Sequence, residues 1–313
     1  MDKTSRRVER DAEAEIQLRA RRGLLVSGAA AVAGSGLWQW LNDRPQVNGL
    51  TSPFRKALDV NARIARGFFR ERAIAPEFER SEAVRSFRRN GDIGLSEIRP
   101  EDWRLQLVGV SDPARYLQYS KDVTSWSYGM SQSSTKASDA DANTPQQPRL
   151  HEDDAKGAAV RMKPMEMPGG MLSGIPGLLL AMADLKKLRH VEMITEFMCI
   201  EGWSEVVHWG GARLRDFVAA FPPSGVPEYI GFETPDGQYY VGIERQAALH
   251  PQTLLAYQLN GQALSPDHGA PLRLVTPLKY GIKQLKQIGR ITYSDIRPHD
   301  YWHEQGYDYY AGL

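Results

Sequence analysis

The sequence predicts a mixed α+β domain rich in strands, with few and short helices. Two observations carry that prediction. Short alternating apolar runs, bounded by Gly, Pro, Asn and Asp, recur through the second half of the chain. Helical spacing of apolar residues appears only in brief stretches, and no internal repeat links them. The 313 residues include 39 Lys and Arg against 38 Asp and Glu, well mixed along the chain. That balance gives no reason to expect a nucleic-acid partner, which normally shows as a clustered basic surface. A single cysteine, Cys199, excludes an internal disulfide and the usual multi-cysteine zinc sites. There is no Gly-rich dinucleotide fingerprint and no phosphate-binding P-loop.

Taken in order, residues 1–41 hold the compartment signal. Arg21–Arg22–Gly23–Leu24–Leu25 opens a charge-free run from Gly23 to Leu41, with small residues at Ala31–Val32–Ala33. This resembles a twin-arginine export signal. The competing reading is an uncleaved anchor, because the run is long enough to span a bilayer, with Trp38 and Trp40 at the far interface. Either way the expectation is a periplasmic protein, free or membrane-anchored. Residues 42–85 read as a helical extension. Ser52 is a candidate N-cap and Pro53 a first-turn residue, and Phe54, Leu58, Ile64, Ala65 and Phe68 recur at helical spacing toward Pro76. Arg63, Arg66, Arg70 and Arg72 ride on this helix, either as a solvated face or as a membrane or partner contact.

Residues 86–313 read as the main domain. Ser86 to Asp92 is a turn, and Trp103, Leu105 and Leu107 alternate as a strand ending at Gly109. From about 111 to 174 the periodicity is lost in an insertion that is polar from Ser127 to Ala158 and then carries Met162, Met165, Met167 and Met171, either as adaptable packing or a partner surface or as soft-metal ligands. Ala183 to Leu188 and Leu214 to Phe221 are short helices, the second stopped by Pro222–Pro223. Tyr229–Thr234 and Gln238–Ile243 flank Pro235–Asp236–Gly237 as a hairpin. Thr253–Leu259, Leu272–Thr276 and Ile288–Tyr293 are further strands.

Val191, Met193, Thr195, Phe197 and Cys199 fall on one side of a strand by period-two alternation. Cys199 therefore sits on the apolar side, at the strand exit, just before Glu201–Gly202. A scaffold presents a functional side chain rigidly at such a point. The ordinary alternative is a small buried hydrophobe.

The segment Thr195–Glu196–Phe197–Met198–Cys199–Ile200–Glu201–Gly202–Trp203–Ser204 is similar to the cysteine segment of the sulfite oxidase superfamily of molybdenum enzymes. The bacterial branch that includes the catalytic subunit of the periplasmic methionine sulfoxide reductase is the one it most resembles. Further resemblances follow in the same order: Tyr229–Thr234, His250–Leu255, His268–Leu274, Pro277–Lys286 and Tyr307–Ala311. The resemblance implies a sulfite oxidase-type molybdopterin-binding fold. It implies one molybdenum bound by a single molybdopterin, with Cys199 as the only protein ligand to the metal and Glu201 beside it in the pocket. It also implies cofactor contacts at Asn90, Thr234, His268, Arg273, Gly281, Ile282 and Lys283. The bland alternatives are an ion pair for Arg273, solvent for Lys283 and Lys286, and a turn for His268.

True sulfite oxidases resemble one another in carrying basic residues shortly after the cysteine. Here Ile200–Glu201–Gly202–Trp203 follows, and an acid so placed repels sulfite. The resemblance thus implies reduction of S-oxides or N-oxides, small or protein-bound. The alternatives are a sulfite dehydrogenase and a non-catalytic membrane-associated binding or assembly protein of the same fold. There is no haem-attachment motif and no set of cysteines for an iron–sulfur cluster, so a separate electron partner is expected, either a membrane haem subunit or a periplasmic cytochrome.

Overall fold

The structure is a computed structural model that describes residues 34–68, 74–122 and 176–312. The paired arginines, the methionine cluster and most of the polar insertion lie outside the described residues. Contacts divide the chain into two compact units, 1–61 and 62–313.

In the first unit, residues 34–42 are helical and are followed by a small hairpin. Its strands β1 (Gln46–Val47) and β2 (Leu50–Thr51) are joined by Asn48 and Gly49, with φ of 48° and 74°. Both turn residues lie in the left-handed region, as a two-residue hairpin turn demands, and Asn–Gly is the pair that adopts it most readily. The long helix α1 (Ser52–Phe68) starts where the sequence placed it, and the chain is no longer helical at 74–76. No described helix is long and apolar enough to cross a membrane.

The second unit is built on two sheets. A six-stranded sheet has the order β4-β5-β3-β13-β8-β9, from β3 (Leu105–Val108), β4 (Ser120–Asp122), β5 (Pro176–Leu180), β8 (Tyr229–Glu233), β9 (Tyr240–Glu244) and β13 (Arg290–Ser294). A five-stranded sheet holds β6 (His190–Met198), β7 (Ser204–Arg213), β10 (Leu254–Leu259), β11 (Gln262–Ala263) and β12 (Arg273–Val275). Among the described residues the helices of this unit are short, such as Leu214–Ala220 and Tyr301–Glu304. The strand-rich α+β class is therefore the observed one, and the expected hairpin appears as β8–β9.

Strand β7 is an addition to the sequence reading, which passed over it. Gly210–Gly211 weakens its strand signature, since glycine has no side chain to pack. The reason for glycine is close approach: a Cβ on Gly211 would stand 2.2 Å from the Leu255 carbonyl oxygen of the neighbouring strand. The pairing of β7 with β10 also slips between Ala256 and Gln258.

Alternation splits the five-stranded sheet into two faces. Leu255, Tyr257, Leu272 and Leu274 join the main core, which continues through Leu105, Leu107, Phe232 and Ile291 of the other sheet. Leu254, Ala256 and Val275 point the other way, into a second cluster with Phe87, Met193, Phe197, Cys199, Val207 and Trp209. The first face is a core. The second holds Cys199.

Candidate functional site

Cys199 arrives on that second face through the β6–β7 hairpin. Met193, Thr195, Phe197 and Cys199 are all buried, and the residues between them are not, as the alternation predicts. The connection is closed by two backbone bonds: the Cys199 N–H donates to the Trp203 carbonyl at 2.9 Å, and the Gly202 N–H to the Cys199 carbonyl at 3.1 Å. Gly202 has φ of 87°, a conformation glycine adopts without strain. The thiol is thus held at a fixed exit, 6% exposed.

Around the sulfur the structure brings together two other residues singled out in the sequence. Asn90 Nδ2 lies 3.3 Å from Cys199 Sγ and 3.4 Å from Glu201 Oε2. The Trp203 indole N–H donates to the same Glu201 oxygen at 3.1 Å. Burial above all pushes the Cys199 thiol up; the Glu201 carboxylate adds to this, while the Glu201 backbone N–H and the Asn90 amide oppose it. By itself this setting favours the neutral thiol. A bound cation of high charge reverses such a preference and holds a thiolate.

The loop bearing Asn90 is clamped from three sides. Lys286 Nζ donates to the carbonyls of Asn90 at 2.7 Å, Gly91 at 2.8 Å and Asp267 at 3.2 Å. The Gln287 side chain accepts from the Ser96 N–H at 2.6 Å and donates to the Ser96 carbonyl at 2.7 Å. Gly94 abuts Thr234 so closely that a Cβ there would stand 2.6 Å from Thr234 Cγ2. The Thr234 hydroxyl donates to Asp236 Oδ1 at 2.6 Å and accepts from the Tyr239 N–H at 3.1 Å, so it also closes the β8–β9 turn.

Arg273 is the second centre of the site. It lies on β12 opposite Ala256, on the same sheet face as Cys199, and is 1% exposed. Its guanidinium stacks 4.7 Å from the Trp209 ring centroid. Its Nη atoms donate only to carbonyls, those of His268 at 3.2 Å and Gln284 at 3.5 Å. Its Nε has no partner, nor do the buried His268 Nδ1 and Gln284 Oε1. Among the described residues no carboxylate pairs with it. Burial alone brings its pKa down to about 9. Burial, then the charges of Arg273 and Lys286, lower His268; burial, then Arg273 and Arg89, lower Lys286 to about 8. Asp267, exposed and ion-paired with Arg89 at 3.3 Å, acts against the shifts at His268 and Lys286. Arg273 lowers both His268 and Lys286 and keeps an open Nε donor, and with them it makes a cradle suited to an anion.

The remaining candidates fall into two groups. Gly281 packs face-on against the cysteine strand: a Cβ there would lie 2.4 Å from the tip of the Phe197 ring. Ile282 is buried, and its carbonyl accepts from the Tyr239 hydroxyl at 2.6 Å. Lys283 does not join the cradle through its ammonium. That group is fully buried against Asp300, donates to the Gly242 carbonyl at 3.0 Å and sits 4.0 Å from the Tyr309 ring centroid. The cation brought to Arg273 is instead Lys286, with Gln284 beside it. In the sequence Lys286 reads only as a solvent-facing lysine, and nothing local separates it from Lys283. Phe87 and Trp209, which wall Arg273 and His268, lie on distant segments and carried no local signal.

Among the described residues no three His, Cys, Asp or Glu side chains are placed to hold a metal ion. A metal at Cys199 would draw its other ligands from a bound cofactor. The arrangement fits a metal-bearing organic group with an anionic tail: one soft sulfur donor, and on the same face an uncompensated arginine whose Nε lacks an acceptor.

Comparison with known proteins bears on that fit. Residues 176–302 match the oxidoreductase molybdopterin binding domain, a stretch that runs from β5 to the last short helix and contains Cys199 and Arg273. Curated relatives are similar over part of their length. The protein-methionine-sulfoxide reductase catalytic subunit MsrP of Campylobacter jejuni is 35% identical over 155 residues, 44% of this chain and 52% of that protein. MsrP of Xanthomonas axonopodis pv. citri is 37% identical over 143 residues, 41% and 44% of the two chains. A putative protein-methionine-sulfoxide reductase subunit, YedZ1 of Azospira oryzae, is 35% identical over 129 residues, 41% and 49%. The chain thus spans about half the length of the curated relatives it matches. Among solved structures, the sulfane dehydrogenase SoxCD of Paracoccus pantotrophus gives a partial likeness, with a TM-score of 0.36 and 19% identity over 38% of this chain and 36% of that one.

Proposed function

We propose that this chain, whose residues 176–302 form an oxidoreductase molybdopterin binding domain, is an exported oxidoreductase that reduces S-oxides or N-oxides by oxygen-atom transfer. The observation that carries the reading is the pairing, on one sheet face, of the lone buried thiol with a buried arginine that no carboxylate neutralises.

Cys199 is the protein ligand to a single molybdenum, and Asn90 fixes the sulfur from the side. Arg273, with Lys286, His268 and Gln284, holds the anionic phosphate of one molybdopterin. Such a phosphate accepts from the Arg273 Nε that otherwise lacks an acceptor. Thr234 and the Gly281–Ile282 turn stand on the loops that frame this face. When bound, the molybdenum centre supplies the redox change that moves an oxygen atom to or from a substrate.

The protein contributes positioning and selection. Glu201, held by Trp203 and Asn90, places a negative charge two residues from the ligand. That charge disfavours anionic substrates such as sulfite and leaves neutral oxides favoured. Ile200, 39% exposed, adds an apolar surface at the rim. The MsrP relatives named above are methionine-sulfoxide reductases, which supports a thioether oxide, free or protein-bound, as the substrate class. Electrons come from a separate redox protein, a membrane haem subunit or a periplasmic cytochrome. The twin-arginine-like segment supports delivery to the periplasm with the cofactor already in place.

The test is a comparison of wild type and Glu201→Lys holoenzymes with a redox dye. Methionine sulfoxide, dimethyl sulfoxide and trimethylamine N-oxide are assayed as oxidants, and sulfite as reductant. Turnover of an oxide by wild type, and a gain toward sulfite in the variant, are the expected results. Wild-type oxidation of sulfite with no turnover of any oxide would overturn the direction proposed.

A further inference from the structure

Helix α1 is amphipathic in the opposite sense to a helix that docks on a core. In a protein helix the packed face is ordinarily the apolar one. Here the packed side carries Arg55, 3% exposed, whose Nε donates to the Val47 carbonyl at 3.3 Å and whose Nη2 donates to that of Asn48. Ala62 and Arg66 continue that side, and Arg66 Nη1 reaches the Tyr229 hydroxyl at 3.2 Å. At 3.6 residues per turn, Phe54, Ala57, Val60, Asn61, Ile64 and Phe68 fall together on one outward arc. Its large members are open: Phe54 is 37% exposed, Val60 45%, Ile64 53% and Phe68 79%. Asn61 is the only polar residue on the arc, and Lys56 and Arg63 border it.

The stretch just before the helix repeats the pattern. Leu37, Trp38 and Trp40 are 58%, 62% and 50% exposed, and the Arg44 guanidinium lies 4.1 Å from the Trp40 ring centroid. Tryptophan with a neighbouring arginine is the composition of a membrane–water boundary, where an indole sits at headgroup level and the cation meets phosphate. These residues end the charge-free run Gly23–Leu41. Ten residues separate Leu41, the end of that run, from Ser52, the first of α1.

We propose that α1 lies in the plane of an anionic phospholipid surface, with Phe54, Val60, Ile64 and Phe68 among the acyl chains and Lys56 and Arg63 at the phosphates. Apolar area gives the affinity and basic flanks give the preference for anionic lipid, as in other in-plane amphipathic helices. The occupant is a lipid surface rather than a protein groove because the arc is broad, continues the tryptophan-bearing stretch and is bordered by cations.

The experiment is hydroxyl-radical footprinting of the full chain, read residue by residue by mass spectrometry. It is run without vesicles, with phosphatidylglycerol vesicles and with phosphatidylcholine vesicles, and with Tyr307, 39% exposed and far along the chain, as the control. Oxidation of Phe54 and Phe68 is expected to fall severalfold with phosphatidylglycerol and less with phosphatidylcholine, while Tyr307 is unchanged. In a Val60→Ser/Ile64→Ser variant the protection of Phe54 and Phe68 is expected to disappear even where the N-terminal run still carries the chain onto vesicles. Vesicle binding without protection of Phe54 and Phe68 would overturn the proposal. So would protection that appears only when a membrane protein is reconstituted alongside, which would make the arc a protein interface.

Discussion

Among the described residues of the second unit three cations, Arg273, Lys279 and Lys283, are buried, and they are buried in two different ways. Lys279 and Lys283 are each 1% exposed and each meets a carboxylate: Lys279 Nζ lies 2.8 Å from Glu244 Oε2, and Lys283 is in close contact with Asp300. Both also donate to a backbone carbonyl, that of Tyr310 for Lys279 and that of Gly242 for Lys283. Arg273 is equally buried and has carbonyls but no carboxylate. Burying a charge without a counter-charge is costly, so folded chains rarely do it without a ligand in view. The two lysines are pins that hold the C-terminal segment against β9. Arg273 has no such carboxylate among the described residues, and in the function proposed above its counter-charge is the cofactor phosphate.

The largest effect should come from breaking a pin. Lys283→Met leaves the buried Asp300 carboxylate with the Gly242 and His303 N–H groups and no cation, and is expected to cost about 3–5 kcal/mol in stability, read from urea unfolding. The double change Lys283→Met with Asp300→Leu should recover most of that loss, because the uncompensated charge is then gone. Next is Gly281→Ala. Its Cβ must displace the Phe197 ring, from a contact of 2.4 Å, and overpacking of that kind costs about 1–3 kcal/mol. The same change should loosen the Cys199 strand and reduce cofactor retention, read as the molybdenum content of the purified protein.

Arg273→Met should behave in the reverse way. In cofactor-free protein its stability is expected to equal or exceed wild type, because a desolvated cation is replaced by a side chain of similar length. A loss like that of Lys283→Met would show that Arg273 has a partner in the fold and is another pin.

The smallest effect is the share of the pH dependence that Lys279 contributes. Burial holds its pKa down at about 8, with Glu244 acting in the opposite direction. The unfolded chain keeps its lysine protonated to about 10.4. Between those values the unfolded state binds the extra proton, so the Lys279 contribution to stability rises with pH through that window and is lost as pH falls through 8. The difference in unfolding free energy between wild type and Lys279→Met should shift toward wild type across that range.

Much of the site was legible because it rests on local pattern. The alternation of Met193, Thr195, Phe197 and Cys199 gave the buried face directly, and the turn at Glu201–Gly202 gave the exit. The β8–β9 hairpin followed from Pro235–Asp236–Gly237 in the same way. What was not legible depends on residues far apart. Lys283 and Lys286 are alike in local sequence; Asp300 claims one, and the carbonyls of Asn90, Gly91 and Asp267 claim the other. Strand β7 hid behind Gly210–Gly211, whose smallness serves the approach of β10. The outward apolar arc of α1 was visible as helical spacing, but nothing in spacing says which face a fold will cover.

The central claim is that Arg273 and Cys199 hold the two ends of one bound molybdopterin. The direct measurement is molybdenum and pterin content, determined together, in wild type, Cys199→Ala and Arg273→Met made in a cofactor-competent host, each with its unfolding curve. The account predicts molybdenum and pterin in equal amounts in wild type. It predicts loss of molybdenum from Cys199→Ala and loss of both from Arg273→Met, with the fold intact in each. Full pterin occupancy in a folded Arg273→Met protein would contradict it.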